Sequence, residues 1–246
     1  MEDAPRPRPL AQKTIGILGG CSNVATGIYY QLINEISNRR LGGWDMAETV
    51  IVGMNFGNIE HMLRTEDWSG LKAYMADKVD RLVAARADLI IVASNTLHRP
   101  MADIVEGRDV EWLHIADPTG RAIRAAGLRR ILLLGTQAVM QLDYLKQHYA
   151  DRFGLEILVP ADEEREEIDR IIFDELVKDR IEPTSKARYL EIADRMVRED
   201  GVQGLIMGCT EICSLIQQPD RPDLPMFDTT RLHCEAAVDA VLGDLG

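Results

Sequence analysis

Short apolar segments alternate with amphipathic segments along almost the whole sequence. Residues 89–93 and 131–134 are apolar at consecutive positions, and each segment runs into glycine or small polar residues. Strands that are apolar on both faces are typical of parallel sheets covered by helices. Residues 68–85, in contrast, carry apolar side chains at helical spacing. This alternation predicts an α/β fold with mainly parallel sheets.

The same pattern assigns most of the chain to predicted elements. The predicted strands are 14–18, 49–54, 89–93, 111–115, 130–134, 155–159, 204–207 and 226–228. The predicted helices are 25–36, 68–85, 100–105, 117–126, 141–149, 163–177, 185–200 and 232–242. Residues 54–60, after the second strand, are interpreted as a loop.

A weak internal repeat suggests a duplicated unit. Residues 88–96 and 204–210 each form an apolar strand that ends in a nucleophile-type side chain with threonine close behind. Ser94 and Cys209, the two nucleophile-type residues, lie about half the chain length apart. We therefore expect two similar domains. The first comprises 13–116 with 226–246, the second comprises 117–225, and residues 1–12 form a disordered tail.

Composition limits the class of function. The formal charge is −12 in 246 residues, and such an acidic excess repels nucleic-acid phosphates. No apolar run approaches the roughly 20 residues of a membrane span, and residues 1–13 lack the apolar core of a secretory signal. Four cysteines do not form a disulfide scaffold. We expect a cytoplasmic protein that binds neither nucleic acid nor membrane.

The carboxyl ends of the predicted strands carry small polar residues, and ligands bind at these ends in parallel sheets. Cys209 is the first candidate because a thiolate can act as nucleophile or base, although most free cysteines are buried apolar groups. Ser94 is its counterpart, but a serine without an activating neighbour is a poor base. The other polar candidates at strand ends are Cys21, Ser22, Asn95, Thr96, Thr136 and Thr210.

Other chemistry-bearing residues admit a structural interpretation first. His98 and His114 are acid–base candidates, yet a histidine beside an apolar run is more often packed in the core. Lys178 is either a cation at a helix C-terminus or a counter-charge for a substrate carboxylate. Cys209, Cys213 and Cys234 form no CxxC pair, so no metal is expected. The spacing of Gly16, Gly19 and Gly20 does not fit a dinucleotide fingerprint, and no cofactor is expected.

Several motifs together resemble one family. They are Thr14-Ile-Gly-Ile-Leu-Gly-Gly, Ser94-Asn-Thr-Leu-His, Leu134-Gly-Thr, Gly208-Cys-Thr-Glu-Ile and Phe227-Asp-Thr-Thr-Arg-Leu-His. In order and spacing, these motifs are similar to those of the aspartate/glutamate racemase family from residue 13 onward. The resemblance implies two Rossmann-like domains related by a pseudo-two-fold axis, with the active site in the cleft between them. It also implies racemisation of an acidic amino acid without a cofactor, in a homodimer.

The resemblance also implies roles for individual residues. Cys209 occupies the position of the family's second catalytic cysteine. Ser94 occupies the position of the first, where one branch of the family, which this chain resembles, carries Thr. We therefore expect a racemase that prefers L-substrates, or one that is slow or acts unequally on the two enantiomers. Asn95, Thr96 and Thr210 would hold the α-carboxylate, and Lys178 would bind the side-chain carboxylate.

Two positions depart from the family pattern. Cys21 stands where relatives commonly have Met and is expected to line the pocket with Ser22. Some aspartate racemases carry an arginine after the second strand, but here the first arginine is Arg64.

Two other functions remain open from the sequence. A single thiol would also serve a decarboxylase or isomerase of the same superfamily. A binding protein whose catalytic pair has decayed is the third interpretation.

Overall fold

Two parallel four-stranded sheets form the centre of the protein, whose computed structural model describes residues 10–243. The first sheet has the order β2-β1-β3-β4 and the second has the order β6-β5-β7-β8. Every strand pairing is parallel, which confirms the predicted α/β class. The strands are β1 (Ile15–Gly19), β2 (Thr49–Gly53), β3 (Leu89–Val92), β4 (Glu111–Trp112), β5 (Arg130–Leu134), β6 (Glu156–Leu158), β7 (Gly204–Met207) and β8 (Met226–Asp228).

Helices cover both faces of each sheet. They are α1 (Asn23–Leu41), α2 (Phe56–Arg64), α3 (Trp68–Ala84), α4 (Met101–Val105), α5 (Ala116–Ala125), α6 (Gln137–Gln141), α7 (Asp143–Phe153), α8 (Asp162–Asp174), α9 (Pro183–Asp200), α10 (Ile212–Leu215) and α11 (Thr229–Leu242). Among residues 10–243, none of these helices has both the length and the apolar character needed to cross a bilayer.

Two helical predictions were wrong. The segment interpreted as a loop after the second strand contains α2, which begins where the Asn55 side chain accepts a hydrogen bond from the Gly57 amide. Ile59 is buried and Met62 and Leu63 pack beside it, so the helix has an apolar face at helical spacing that the prediction overlooked. The helix predicted at 141–149 corresponds to α7, which begins at Asp143, and the short helix α6 before it was not predicted.

The two sheets repeat the same strand order, and this repeat explains the internal similarity of the sequence. β3 and β7 hold the same third position in their sheets. Leu18 of β1 pairs with Val92 of β3, and Leu134 of β5 pairs with Met207 of β7. Ser94 and Cys209 therefore follow equivalent strands.

The last strand and helix are divided between the two halves. β8 pairs with β7 in the second sheet, not in the first where we expected residues 226–246. The following helix α11 packs against α1 and the first sheet through Cys234, Ala237 and Val238. Residues 1–9 of the expected tail lie outside the described residues, and Leu10 packs against the first core.

A histidine cluster (His98, His114, His148 and His233) lies where helix α11 meets the first sheet. The ring centroids of His98 lie 5.0 Å from His114 and 5.4 Å from His233. Burial lowers the pKa of His98 to about 3 and that of His233 to about 4. Burial and the neighbouring imidazoles also hold the pKa of His114 far below its usual value. These three histidines are therefore neutral in the folded protein at neutral pH.

We expect acid to destabilise the fold through this cluster. Below a pH of about 6.5 the unfolded chain binds protons that the folded cluster excludes, which costs up to about 1.4 kcal/mol per histidine and pH unit. The free energy of unfolding, measured by chemical denaturation, should fall steadily as pH is lowered from about 7 to about 5.

The variant His98→Asn should show a shallower fall, because one excluded proton is gone. His61, an exposed residue of α2, provides the matched control, and His61→Asn should keep the wild-type slope. A wild-type slope in His98→Asn would contradict this account.

Candidate active site

Loops from both halves surround one cavity of about 680 Å³, a size typical of small-molecule sites. The loops that follow β1, β3, β5 and β7 lie at the carboxyl ends of neighbouring strands, as the sequence analysis expected. The predicted residues that line this cavity are Cys21, Ser22, Ser94, Asn95, Thr96, Thr136, Cys209 and Thr210.

Tight backbone packing fixes the loop that carries Cys21. Gly20 has φ +91°, and a Cβ there would lie 2.2 Å from the Met54 carbonyl oxygen. The Gly20 amide donates to the Thr26 hydroxyl at 2.9 Å, and the Ser22 hydroxyl caps α1 by accepting from the Ala25 amide. Cys21 therefore stands directly before the N-terminus of a 19-residue helix, where the helix dipole favours anions.

Asn95 connects the two halves at the edge of the cavity. Its amide nitrogen donates to the Gly208 carbonyl oxygen at 2.9 Å and to the Thr229 hydroxyl at 3.3 Å. Thr229 in turn donates to the Met207 carbonyl oxygen at 3.0 Å. Both amide hydrogens of Asn95 are thus engaged in holding the loop after β3 against the end of β7.

Cys209 and Thr210 share one buried carboxylate. The Cys209 thiol donates to Glu211 Oε2 at 2.9 Å, and the Thr210 hydroxyl donates to the same oxygen at 2.6 Å. Glu211 is only 7% exposed, and no ion pair to it occurs among residues 10–243. A buried carboxylate with neutral donors alone is costly and provides a site for a cation.

This arrangement keeps Cys209 protonated while the cavity is empty. Burial raises the pKa of the Cys209 thiol well above its usual value, and the negative charge of Glu211 raises it further. A positive charge placed beside Glu211 would offset the second effect. The thiol is therefore poised to lose its proton when a cationic ligand enters.

Two cationic side chains lie at positions that the sequence did not predict. Lys178 is exposed and lies 3.5 Å from Asp174, and it is not among the residues that line the cavity. Arg64, from the unpredicted helix α2, does line it and pairs with Glu60 at 3.1 Å.

The two histidine candidates lie outside the cavity wall. His98 Nδ1 donates to the Ser94 carbonyl oxygen at 2.7 Å and does not contact its hydroxyl. His114 accepts from the Ala116 amide and contacts the Tyr144 hydroxyl. Both are packed residues, the commoner role for such histidines.

His114, Asp117 and His148 approach one another closely enough to hold a metal ion. Both ring nitrogens of His114, both carboxylate oxygens of Asp117 and Nε2 of His148 already have partners, however. The imidazoles of His114 and His148 stack at 3.8 Å, and Asp117 binds both His148 and the Arg152 guanidinium. We interpret this group as a hydrogen-bonded stack.

Comparison with known proteins agrees with this geometry. The family described as Asp/Glu/Hydantoin racemase matches residues 17–237. The chain belongs to this family. The predicted family is confirmed, and so at family level is the prediction of an amino-acid racemase, an isomerase.

Solved structures show the same fold. A candidate Asp/Glu racemase from Yersinia pestis is 35% identical, with a TM-score of 0.86 over 93% of this chain and 98% of that one. An aspartate racemase homologue from Pyrococcus horikoshii is 32% identical, with a TM-score of 0.83 and the same coverage. The aspartate racemase of Picrophilus torridus is 18% identical, covers 93% of this chain and 94% of its own, and shares the fold with a TM-score of 0.74.

Sequence reasoning missed Glu211 and Arg64 as site residues. Glu211 stood inside the quoted Gly208-Cys-Thr-Glu motif, and its position two residues after the thiol was the available signal. Arg64 gave none, because the helix that brings it to the cavity was not predicted.

Proposed function

We propose that the protein racemises an acidic amino acid without a cofactor, with Cys209 as the thiolate that removes the α-proton of the L-enantiomer. The observation that carries this proposal is the hydrogen bond from the Cys209 thiol to the buried Glu211, beside a cavity lined by residues of both halves. Ser94 lies at the position that would face the opposite side of the substrate Cα.

Glu211 is the proposed binding site for the substrate's α-ammonium group. The ammonium group compensates the buried charge of Glu211 and thereby lowers the pKa of the Cys209 thiol. It also frees the Thr210 hydroxyl, which then donates to the α-carboxylate together with Thr96. Substrate binding thus favours the thiolate base, and the thiol proton passes to solvent.

The chemical difficulty is the weak acidity of the α-proton. Removal of this proton places negative charge on Cα, which spreads into the α-carboxylate. Hydrogen-bond donors aimed at the carboxylate stabilise that charge best where water is excluded. The amides at the N-terminus of α1 and the hydroxyls of Thr96 and Thr210 are such donors at this cavity.

The side-chain carboxylate of the substrate is assigned to Arg64, with Lys178 as the alternative from the family resemblance. Arg64 lines the cavity, whereas Lys178 does not. The L-preference, the homodimer and the cytoplasmic location stay predictions of the sequence.

Hydrogen exchange in D₂O tests the reaction directly. With L- and D-aspartate and L- and D-glutamate, proton NMR should show loss of the Cα–H signal together with inversion of configuration. Cys209→Ala should abolish exchange on the L-enantiomers. Cys213, a half-buried thiol of the same half outside the cavity wall, gives the matched control Cys213→Ala, which should keep activity. Absence of exchange with every amino acid in the wild type would refute the proposal.

The variant Glu211→Gln separates two roles of the carboxylate. Loss of the ammonium partner should raise KM about 10- to 100-fold, the range expected for a charged hydrogen bond. Loss of the negative charge lowers the pKa of Cys209, so the rising limb of the kcat/KM–pH profile should move to lower pH.

Glu106, an exposed carboxylate at the end of α4, provides the control variant Glu106→Gln, which should keep the wild-type KM. An unchanged KM in Glu211→Gln would show that the ammonium group binds elsewhere.

Substitutions of Arg64 and Lys178 test which cation binds the side-chain carboxylate of the substrate. Arg64→Ala should raise KM for aspartate or glutamate about five- to tenfold, because a charge-assisted contact is lost, without the same effect on alanine. Steady-state kinetics with the three substrates measures this. If Lys178→Ala shows the selective loss instead, the assignment to Arg64 is wrong.

A further inference from the structure

Ser94 is a weak candidate for the proton-transfer group opposite Cys209. Racemisation requires a second proton-transfer group on the far face of Cα, and Ser94 occupies that place. A serine hydroxyl needs an adjacent base to act near neutral pH. Among residues 10–243 no carboxylate or imidazole hydrogen-bonds this hydroxyl, since His98 binds only the Ser94 carbonyl oxygen. Ser94 alone is therefore poorly suited to the role.

A second thiol lies beside Ser94. β1 and β3 are neighbours with Leu18 paired to Val92, so Cys21 and Ser94 follow adjacent strand ends. The Ser94 side chain lies beside the Cys21 thiol and lowers its pKa, and both residues line the cavity. Cys21 belongs to the first half and Cys209 to the second, so the two thiols reach the same cavity from different halves.

The surroundings of Cys21 suit a sulfur that alternates between thiol and thiolate. It immediately precedes Ser22, the N-cap of the 19-residue helix α1, and helix N-termini favour thiolates. The Ser94 hydroxyl offers a hydrogen bond that stabilises the same charge. Gly20 packs against Met54 so closely that the loop position is fixed.

We propose that Cys21 is the catalytic acid–base group that faces Cys209 across the substrate, and that Ser94 is the positioning residue whose hydroxyl donates to the Cys21 thiolate during the reaction. This assignment rests on the proposed racemase function and places the missing second thiol on the neighbouring strand end.

The proton transfers balance without any further reactant. The Cys209 thiolate takes the α-proton of the L-substrate, and the electron pair of the broken C–H bond spreads into the α-carboxylate. The Cys21 thiol then donates its proton to the opposite face of Cα, forms the new C–H bond and remains as thiolate. Reaction from the D-enantiomer is the reverse, and solvent exchange restores either starting state.

The surroundings of Cys21 keep it protonated before substrate binds. Burial raises the pKa of the Cys21 thiol, the Ser94 hydrogen bond opposes that rise, and the Glu211 charge adds to it. Cys21 is thus a thiol, a proton donor, when an L-substrate arrives. The charge of Glu211 acts on both Cys21 and Cys209, so an ammonium group bound there affects both sulfurs.

The test compares Cα–H exchange and inversion from each enantiomer in D₂O for Cys21→Ala, Cys21→Ser, Ser94→Ala and the control Cys213→Ala. In both Cys21 variants we expect inversion and D-side exchange to fall by about 100-fold or more, the usual contribution of a general acid or base. L-side exchange with retention should continue, because Cys209 is intact, and it shows that the variants are folded.

Ser94→Ala gives a different signature. It should retain inversion at a lower rate, and the rising limb of the D-side pH–rate profile should move to higher pH, because a hydrogen bond that favours the thiolate is lost.

Each other result overturns the assignment. Wild-type inversion in Cys21→Ala, or an equal loss of exchange from both enantiomers, would show that Cys21 only shapes the pocket. Loss of D-side exchange in Ser94→Ala alone would make the hydroxyl the reacting group. In both cases racemisation by the wild type would still stand. If the wild type exchanges no amino acid, the proposed function fails and the role of Cys21 fails with it.

Discussion

The hydrogen bond from the Asn95 amide to the Gly208 carbonyl oxygen holds the two halves together where the site lies. Asn95 follows Ser94, and Gly208 precedes Cys209, so this contact directly links the two strand ends that carry the proposed chemistry. Thr229 completes it by accepting from Asn95 and donating to Met207. A reaction that needs groups on opposite faces of one carbon tolerates little displacement, since about 1 Å of misplacement can cost 100-fold in rate.

A second constraint is the buried charge of Glu211. Its two donors, the Cys209 thiol and the Thr210 hydroxyl, stabilise the carboxylate without neutralising it. No ion pair to Glu211 occurs among residues 10–243, and burial together with the charge of Glu211 raises the pKa of the Cys209 thiol. In the proposed reaction the substrate ammonium group compensates that charge, which ties formation of the thiolate to substrate binding and protects the thiol at other times.

The sequence predicted the central strands β1, β3, β5 and β7 well because they are apolar on both faces. It also named eight residues that line the cavity, because parallel strands bring their carboxyl ends to one edge. It missed α2, although Ile59, Met62 and Leu63 have helical spacing, and with this helix it missed the approach of Arg64. The engagement of Asn95 with Gly208 depends on contacts between residues 113 positions apart, which no local pattern reveals. The β8 strand was placed in the wrong sheet because a three-residue strand carries no signal for its partner.

A crystal structure of the Cys209→Ala variant with bound L-aspartate or L-glutamate tests the central claim most directly. The account predicts that the ammonium group contacts Glu211 and that the α-hydrogen points toward position 209, with Cys21 and Ser94 on the opposite face of Cα. An amino acid bound outside this cavity, or with its ammonium group away from Glu211, would contradict the proposed chemistry.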